Sequence, residues 1–269
     1  MASYVCITGA AGGLGKIFSA ECASRGWNLF LTDISEDMLE PLSQGLTRLY
    51  GVAVQYFSCD LTDSAERKAL WQHVQRQELE FHMLINVAGV EFEGSFSGRT
   101  IAELRAIVRL NIEATVELSR SVLEARDPTR SLHIINVSSL AGYFPMPVKT
   151  VYAASKRFII DFSLALNQEL RSQNVTVTVI CPAGLPTREI TINRILSQGF
   201  MGRCTTVSVG RVVSRTIDLA LKGRAVYVPG FINRVLRILS LLLPTSMTAA
   251  YVGRRWGKRE RGVDPPKNV

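Results

Sequence analysis

Metal-ligand and disulfide patterns are missing from this sequence. Only three histidines occur, His73, His82 and His133, in no ligand spacing, so no metal site is expected. The five cysteines, Cys6, Cys22, Cys59, Cys181 and Cys204, include no C-x-x-C pair, and their odd number favours free thiols in a reducing compartment. No apolar run approaches the ~20 residues that cross a bilayer. The Val5-Cys-Ile stretch is short and has no basic leader, so no signal peptide is read there and a cytoplasmic location is expected. Acidic side chains are scarce at one end. Residues 231–269 carry eight Lys and Arg against Glu260 and Asp264, a net +6 of the chain's +8. These basic residues are interleaved with leucines and form no nucleic-acid module, so no nucleic-acid partner is expected.

What is present is glycine at strand ends and a regular alternation. Apolar runs at Tyr4–Thr8, Trp27–Thr32, Val52–Ser58, Met83–Val87, Leu132–Val137, Val175–Ile180 and Ala225–Val228 read as strands. Helical spacing fills 14–25, 36–49, 63–77, 100–125, 152–172 and 207–221 between them. Repeated strand–helix alternation gives an α/β fold, a doubly wound parallel sheet with helices on both faces. One Rossmann-fold domain is expected over 1–230, an amphipathic helical extension over 231–259, and a disordered tail over 260–269, where Pro265 and Pro266 fall.

Thr8-Gly-Ala-Ala-Gly-Gly-Leu-Gly15 follows the first strand and opens the first helix. Such a turn lets a pyrophosphate approach backbone N–H groups at the positive end of the helix dipole. Asp33 ends the second strand, where a carboxylate can accept from both adenosine ribose hydroxyls and repel a 2′-phosphate. No Lys or Arg stands at 32 or 34–37, so NAD is expected over NADP. A helix N-cap is the alternative that would explain Asp33 without a cofactor. Asp60, before Leu61, could meet the adenine amino group or cap the helix beginning near Thr62. Asn86, Ala88 and Gly89 end the fourth strand, where small residues leave room for a dinucleotide.

In order along the chain, these residues complete a family pattern. T-G-x-x-x-G-x-G is Thr8, Gly9, Gly13 and Gly15; N-x-A-G is Asn86-Val-Ala-Gly89; Y-x-x-x-K is Tyr152-Ala-Ala-Ser-Lys156; Ser139 stands thirteen residues before Tyr152, and Asn111 lies within Leu110-Asn-Ile. Over roughly 4–230 the chain resembles the short-chain dehydrogenase/reductase family, including its hydroxysteroid dehydrogenases and 3-oxoacyl reductases. The resemblance implies Tyr152 as general acid/base, Lys156 holding the nicotinamide ribose and lowering the tyrosine pKa, Ser139 holding the substrate oxygen, and Asn111 supporting a water-linked proton relay. It further implies cofactor contacts from Thr8, Gly9, Gly12, Gly13, Leu14, Gly15, Asp33, Asp60, Leu61, Asn86, Ala88, Gly89, Tyr152, Lys156, Pro182, Ala183 and Thr187, hydride transfer on the B face, and a homodimer or homotetramer. Pro182-Ala-Gly departs from the family's usual Pro-Gly by one methyl.

The chemistry stands on its own terms as well. A free tyrosine, of pKa about 10, is a poor base at neutral pH. A nearby ammonium favours its phenolate, and Lys156, four residues on, shares its helix face. The substrate wall is expected from 91–96, 140–149 and 184–206, with Phe92, Phe96, Tyr143, Phe144, Pro145, Met146 and Pro147, then Ile190, Ile192, Ile195, Leu196, Phe200 and Met201. That supply suits a steroid-like, fatty-acyl or other lipophilic alcohol or ketone. The alternatives left open are an NADPH-dependent 3-oxoacyl reductase and a catalytically silent dinucleotide-binding scaffold.

In 231–243, nine of thirteen residues are apolar, and Asn233, Arg234, Arg237 and Ser240 form a polar stripe. The apolar face is expected to be buried on the protein beside the substrate entrance. Burial across a subunit interface is also open, and attachment to an anionic membrane through the second stretch, about 246–256, is the secondary reading.

Overall fold

The computed structural model describes residues 3–185 and 207–260, with side chains through Arg254. Seven parallel strands form one sheet in the order β3-β2-β1-β4-β5-β6-β7. They are β1 Ser3–Thr8, β2 Asn28–Asp33, β3 Val54–Ser58, β4 Glu80–Asn86, β5 Leu132–Val137, β6 Val175–Ile180 and β7 Val226–Tyr227. The central strands are apolar on both faces because helices cover both. Val5, Ile7, Leu29, Leu31, Met83 and Ile85 pack against Phe18 and Cys22 of α1 (Gly13–Ser24), Leu39 and Leu46 of α2 (Glu36–Tyr50), and Val213 and Ile217 from the helix Val209–Leu221. On the opposite face Cys6, Phe30, Leu84, Ile134 and Val177 meet Leu70 and Val74 of α3 (Ser64–Arg76) and Leu118 and Val122 of a helix running through 101–124. This two-sided burial is what produces continuous apolar strands in place of alternating ones.

The helix expected over 100–125 is present but not uniform. It is α4 (Ile101–Val108), a π-helical stretch Arg109–Ala114, and α5 (Thr115–Glu124). A π insertion interrupts the i to i−4 ladder and re-aims side chains at the bulge. Here the bulge contains Asn111, and the Thr115 hydroxyl donates to its carbonyl at 3.0 Å. The next helix, α6, spans Thr150–Glu169, followed by α7 (Val209–Leu221), α8 (Phe231–Leu242) and α9 (Thr245–Glu260).

The strand order reverses between β1 and β4, which lie side by side with Thr8 opposite Asn86. That reversal leaves a crevice at the carboxyl ends of the strands, where open α/β sheets bind ligands. Every site residue expected from sequence and described here lies in or next to a segment that leaves this edge. Thr187 and the expected wall residues from Ile190 to Met201 lie outside the described residues, as do Cys204 and the tail beyond Glu260.

Candidate active site

The glycine-rich turn is built by contacts inside the protein. Gly9 has φ +63°, and a Cβ there would come within 2.9 Å of the Ala88 backbone. A Cβ on Gly15 would land on the Gly9 carbonyl oxygen. These two glycines therefore let β1 turn into α1 against β4. The Thr8 hydroxyl accepts from the N–H groups of Val87 and Ala88, both at 3.1 Å, which locks the ends of β1 and β4 together. Gly12, the N-cap of α1, brings no side-chain cap, and the first turn holds no acid. The N–H groups of that turn, at Gly13, Leu14 and Gly15, have no intrahelical acceptor, so the helix start fits a pyrophosphate.

Asp33 does not cap α2, whose N-cap is Ser35. Its Oδ2 instead accepts from the Ala11 N–H at 3.0 Å, and its Oδ1 lies 3.4 Å from the Ser35 N–H. The carboxylate braces the glycine turn and keeps lone pairs for ribose hydroxyls. Of the two roles open to Asp60, the helix cap does not hold. Asp63 is the N-cap of α3, accepting from Ala65 and Glu66, because the chain becomes helical only at Ser64. Asp60 accepts from the Thr62 N–H at 2.8 Å in the loop before it. Leu61 has its side chain in the core, and its carbonyl accepts from Arg67 at 2.7 Å.

Below the crevice runs a buried polar ladder. Asn86 Nδ2 donates to Asn136 Oδ1 at 2.8 Å, Asn136 Nδ2 to Ser163 Oγ at 2.9 Å, and Ser163 Oγ to the Ile159 carbonyl at 2.6 Å. These bonds tie β4 and β5 to α6, the helix that carries Tyr152 and Lys156. The Ser138 hydroxyl donates to the Lys156 carbonyl at 2.6 Å and adds a second tie. Gly142 lets the 140–143 turn close on α6, since a Cβ there would meet the Lys156 backbone at 2.8 Å.

Lys156 is 5% exposed, and its Nζ donates to the Val137 carbonyl at 3.0 Å. Nζ lies 5.7 Å from the centroid of the half-buried Tyr152 ring. Burial lowers the lysine pKa to about 8, against the opposing charge of Glu91, so it stays mostly protonated at neutral pH. A Cβ on Gly89 would sit 3.2 Å from Asn111 Oδ1 and 3.3 Å from Lys156 Nζ, so the three residues converge on one spot.

The Asn111 side chain is committed to the scaffold. Oδ1 accepts from the Val90 N–H at 2.9 Å, and Nδ2 donates to the Val90 carbonyl and to Ser155 Oγ, both at 3.1 Å. Ser139 Oγ accepts from the Ala141 N–H at 3.1 Å and still has a proton to donate. Pro182 is buried, with its carbonyl accepting from Leu140 at 2.8 Å, and Ala183 is half-buried beside it.

Three contributors escaped sequence reasoning. Ser138 and Ser163 act through tertiary bonds and carry no motif. Lys149, just before α6, pairs with Glu91, and with Glu93 at 3.1 Å, in the segment that follows β4. The Asn86–Asn136 rung did have a signal, an asparagine in each of two neighbouring apolar strands.

The extension departs from expectation. Helix α8 packs on the turn Leu140–Tyr143, beside the crevice, through its polar stripe. Asn233 is fully buried, and Arg237 lies 5.4 Å over the Tyr143 ring. The expected packing beside the crevice is found, but the apolar face points outward and is not buried on the protein. Among the described residues, no helix is long and apolar enough to cross a membrane.

A family model described as short chain dehydrogenase matches residues 3–193. The rat 17-beta-hydroxysteroid dehydrogenase type 3 is 31% identical over 191 residues, covering 70% of this chain and 61% of that protein. The very-long-chain 3-oxoacyl-CoA reductase of Anas platyrhynchos is 27% identical over 200 residues, covering 72% and 63%. The chain thus spans about three fifths of the length of these curated relatives. The solved short-chain dehydrogenase from Sphingobium yanoikuyae, in complex with NADPH, superimposes with a TM-score of 0.75 at 24% identity, covering 99% of this chain and 98% of that one.

Proposed function

Since the chain belongs to the short-chain dehydrogenase family, we propose that it is an NAD-dependent oxidoreductase interconverting a secondary alcohol and a ketone on a lipophilic, steroid-like or acyl substrate. A nicotinamide dinucleotide bound along the crevice would supply or take up the hydride. The residues do the rest. As a ketone gains hydride, negative charge develops on its oxygen. The Ser139 hydroxyl donates to that oxygen, and Tyr152 gives it a proton. In the oxidative direction Tyr152 takes the proton. The observation that carries this reading is the buried ammonium of Lys156, held by Val137 with its Nζ 5.7 Å from the Tyr152 ring centroid. Its charge favours the phenolate and so poises Tyr152 for both directions. Asn111 holds Val90 and Ser155 in place around that pair.

The NAD preference rests on the Asp33 carboxylate at the end of β2, followed by the exposed, uncharged Ile34. The lipophilic substrate rests on the apolar residues supplied by 91–96 and 140–149, the segments that follow β4 and β5 at the carboxyl edge of the sheet, and on the similarity to a hydroxysteroid dehydrogenase and an oxoacyl-CoA reductase. Purified protein with NAD⁺ or NADP⁺, offered steroids, bile acids and long-chain alcohols and read at the nicotinamide absorbance, tests this directly. Turnover of bulky alcohols with NAD⁺ is expected. A silent hydrophobic panel beside reacting short polar alcohols would overturn the substrate class.

A further inference from the structure

Helix α8 is mounted with its polar stripe inward. Asn233, Arg237 and Ser240, with Leu236, face the protein, and the Asn233 amide donates to the Pro229 carbonyl at 2.7 Å. On the other side Phe231 is 73% exposed, Ile238 57%, Leu241 61% and Leu242 73%, with Val235 and Leu239 between them. These positions lie on one helical face, interrupted only by Arg234. Helix α9 repeats the arrangement. Thr248 is buried and Gly253 approaches Pro147, while Met247, Tyr251 and Arg254 point outward.

We infer that the outward face of α8, together with the Lys- and Arg-rich sequence of α9, docks flat on an anionic lipid membrane. Charge selects this occupant. Residues 231–259 contain six Lys and Arg, and no Asp or Glu. A second copy seated on this face would bring two such basic segments together, whereas anionic headgroups complement them. Length fixes the geometry. Twelve residues of helix span about 18 Å, too short for a hydrocarbon core of about 30 Å, but an in-plane helix needs only to sink its apolar side. Arg234, stacked 5.9 Å over Phe231, can reach back to the headgroups along its apolar stem. Docking this way sets the 140–149 segment, against which both helices pack, near the lipid.

Flotation of the full chain with phosphatidylcholine vesicles, with and without phosphatidylserine, tests it. Wild type should float with the phosphatidylserine vesicles, less with neutral ones, and less as salt is raised. The triple variant Ile238→Ser, Leu241→Ser, Leu242→Ser should bind about tenfold or more weakly with a melting temperature close to wild type, because these side chains are mostly exposed and belong to none of the core clusters. Arg234→Glu with Arg254→Glu should abolish the preference for anionic vesicles while leaving the apolar face intact. Three results would overturn the inference: wild type that stays with the soluble fraction, a triple variant that floats like wild type, or a wild-type dimer that the triple variant converts to monomer.

Discussion

Replacing Lys156 by Met separates stability from activity. The unfolded lysine keeps its proton up to the ordinary 10.5, whereas burial makes the folded one release it at about 8. A charged Lys156 therefore costs the folded state most below pH 8, and the cost fades as pH rises to 10.5. At 1.36 kcal/mol per pKa unit it is about 3 kcal/mol at neutral pH. Methionine fills similar volume without charge but leaves the Val137 carbonyl without its donor, which takes back about 1–2 kcal/mol. The variant should thus be more stable than wild type by about 1–2 kcal/mol near pH 7, a rise of about 2–4 °C in Tm for a chain of this size. The gap should close as pH is raised toward 10. Turnover should fall at least ~10²-fold, since Tyr152 loses the charge that poises it. Thermal melts of the ligand-free protein at several pH values, beside steady-state kinetics, read both effects. A variant less stable than wild type at neutral pH, or a gap that ignores pH, would refute the buried-charge account.

Two further outcomes follow from the same geometry. Asp33→Ala should weaken NAD⁺ binding by about tenfold and narrow its advantage over NADP⁺, because it removes ribose acceptors, the charge facing a 2′-phosphate and the brace on Ala11; titration of both dinucleotides showing an unaltered preference would limit Asp33 to a structural part. His82, whose pKa burial lowers to about 4 with smaller contributions from His133 and Arg130, resists protonation in the folded state. Stability should therefore be lost as pH falls from 6.5 to about 4, by up to about 3 kcal/mol, and His82→Gln should flatten that slope in acid-side melts.

The strands were legible where burial on both faces wrote itself as β-branched runs. The reading of Val175–Ile180 matches β6 end to end, while β7 is only the two residues Val226–Tyr227 of an expected four. The glycine turn and the Tyr152–Lys156 pair were legible because their spacing is local. Features that depend on tertiary partners were not. The π stretch around Asn111 is held by Val90 and Ser155, neither of them a helical neighbour, so periodicity could only show one long helix. Which aspartate caps α3 depends on where the backbone turns helical, and Asp60 and Asp63 offer the same chemistry to a reader of sequence. The polarity of 231–243 revealed two faces of a helix, yet nothing local says on which side the protein lies. Turning Asn233 and Arg237 inward required the Pro229 carbonyl and the Tyr143 ring to be waiting for them.

The proton-transfer role of Tyr152 is the centre of the account, and Tyr152→Phe tests it with the loss of one oxygen. Kinetics of the purified variant should show kcat down by ~10²–10⁴-fold, with dinucleotide affinity and melting temperature close to wild type. A variant retaining more than about a tenth of the wild-type kcat would contradict the assignment.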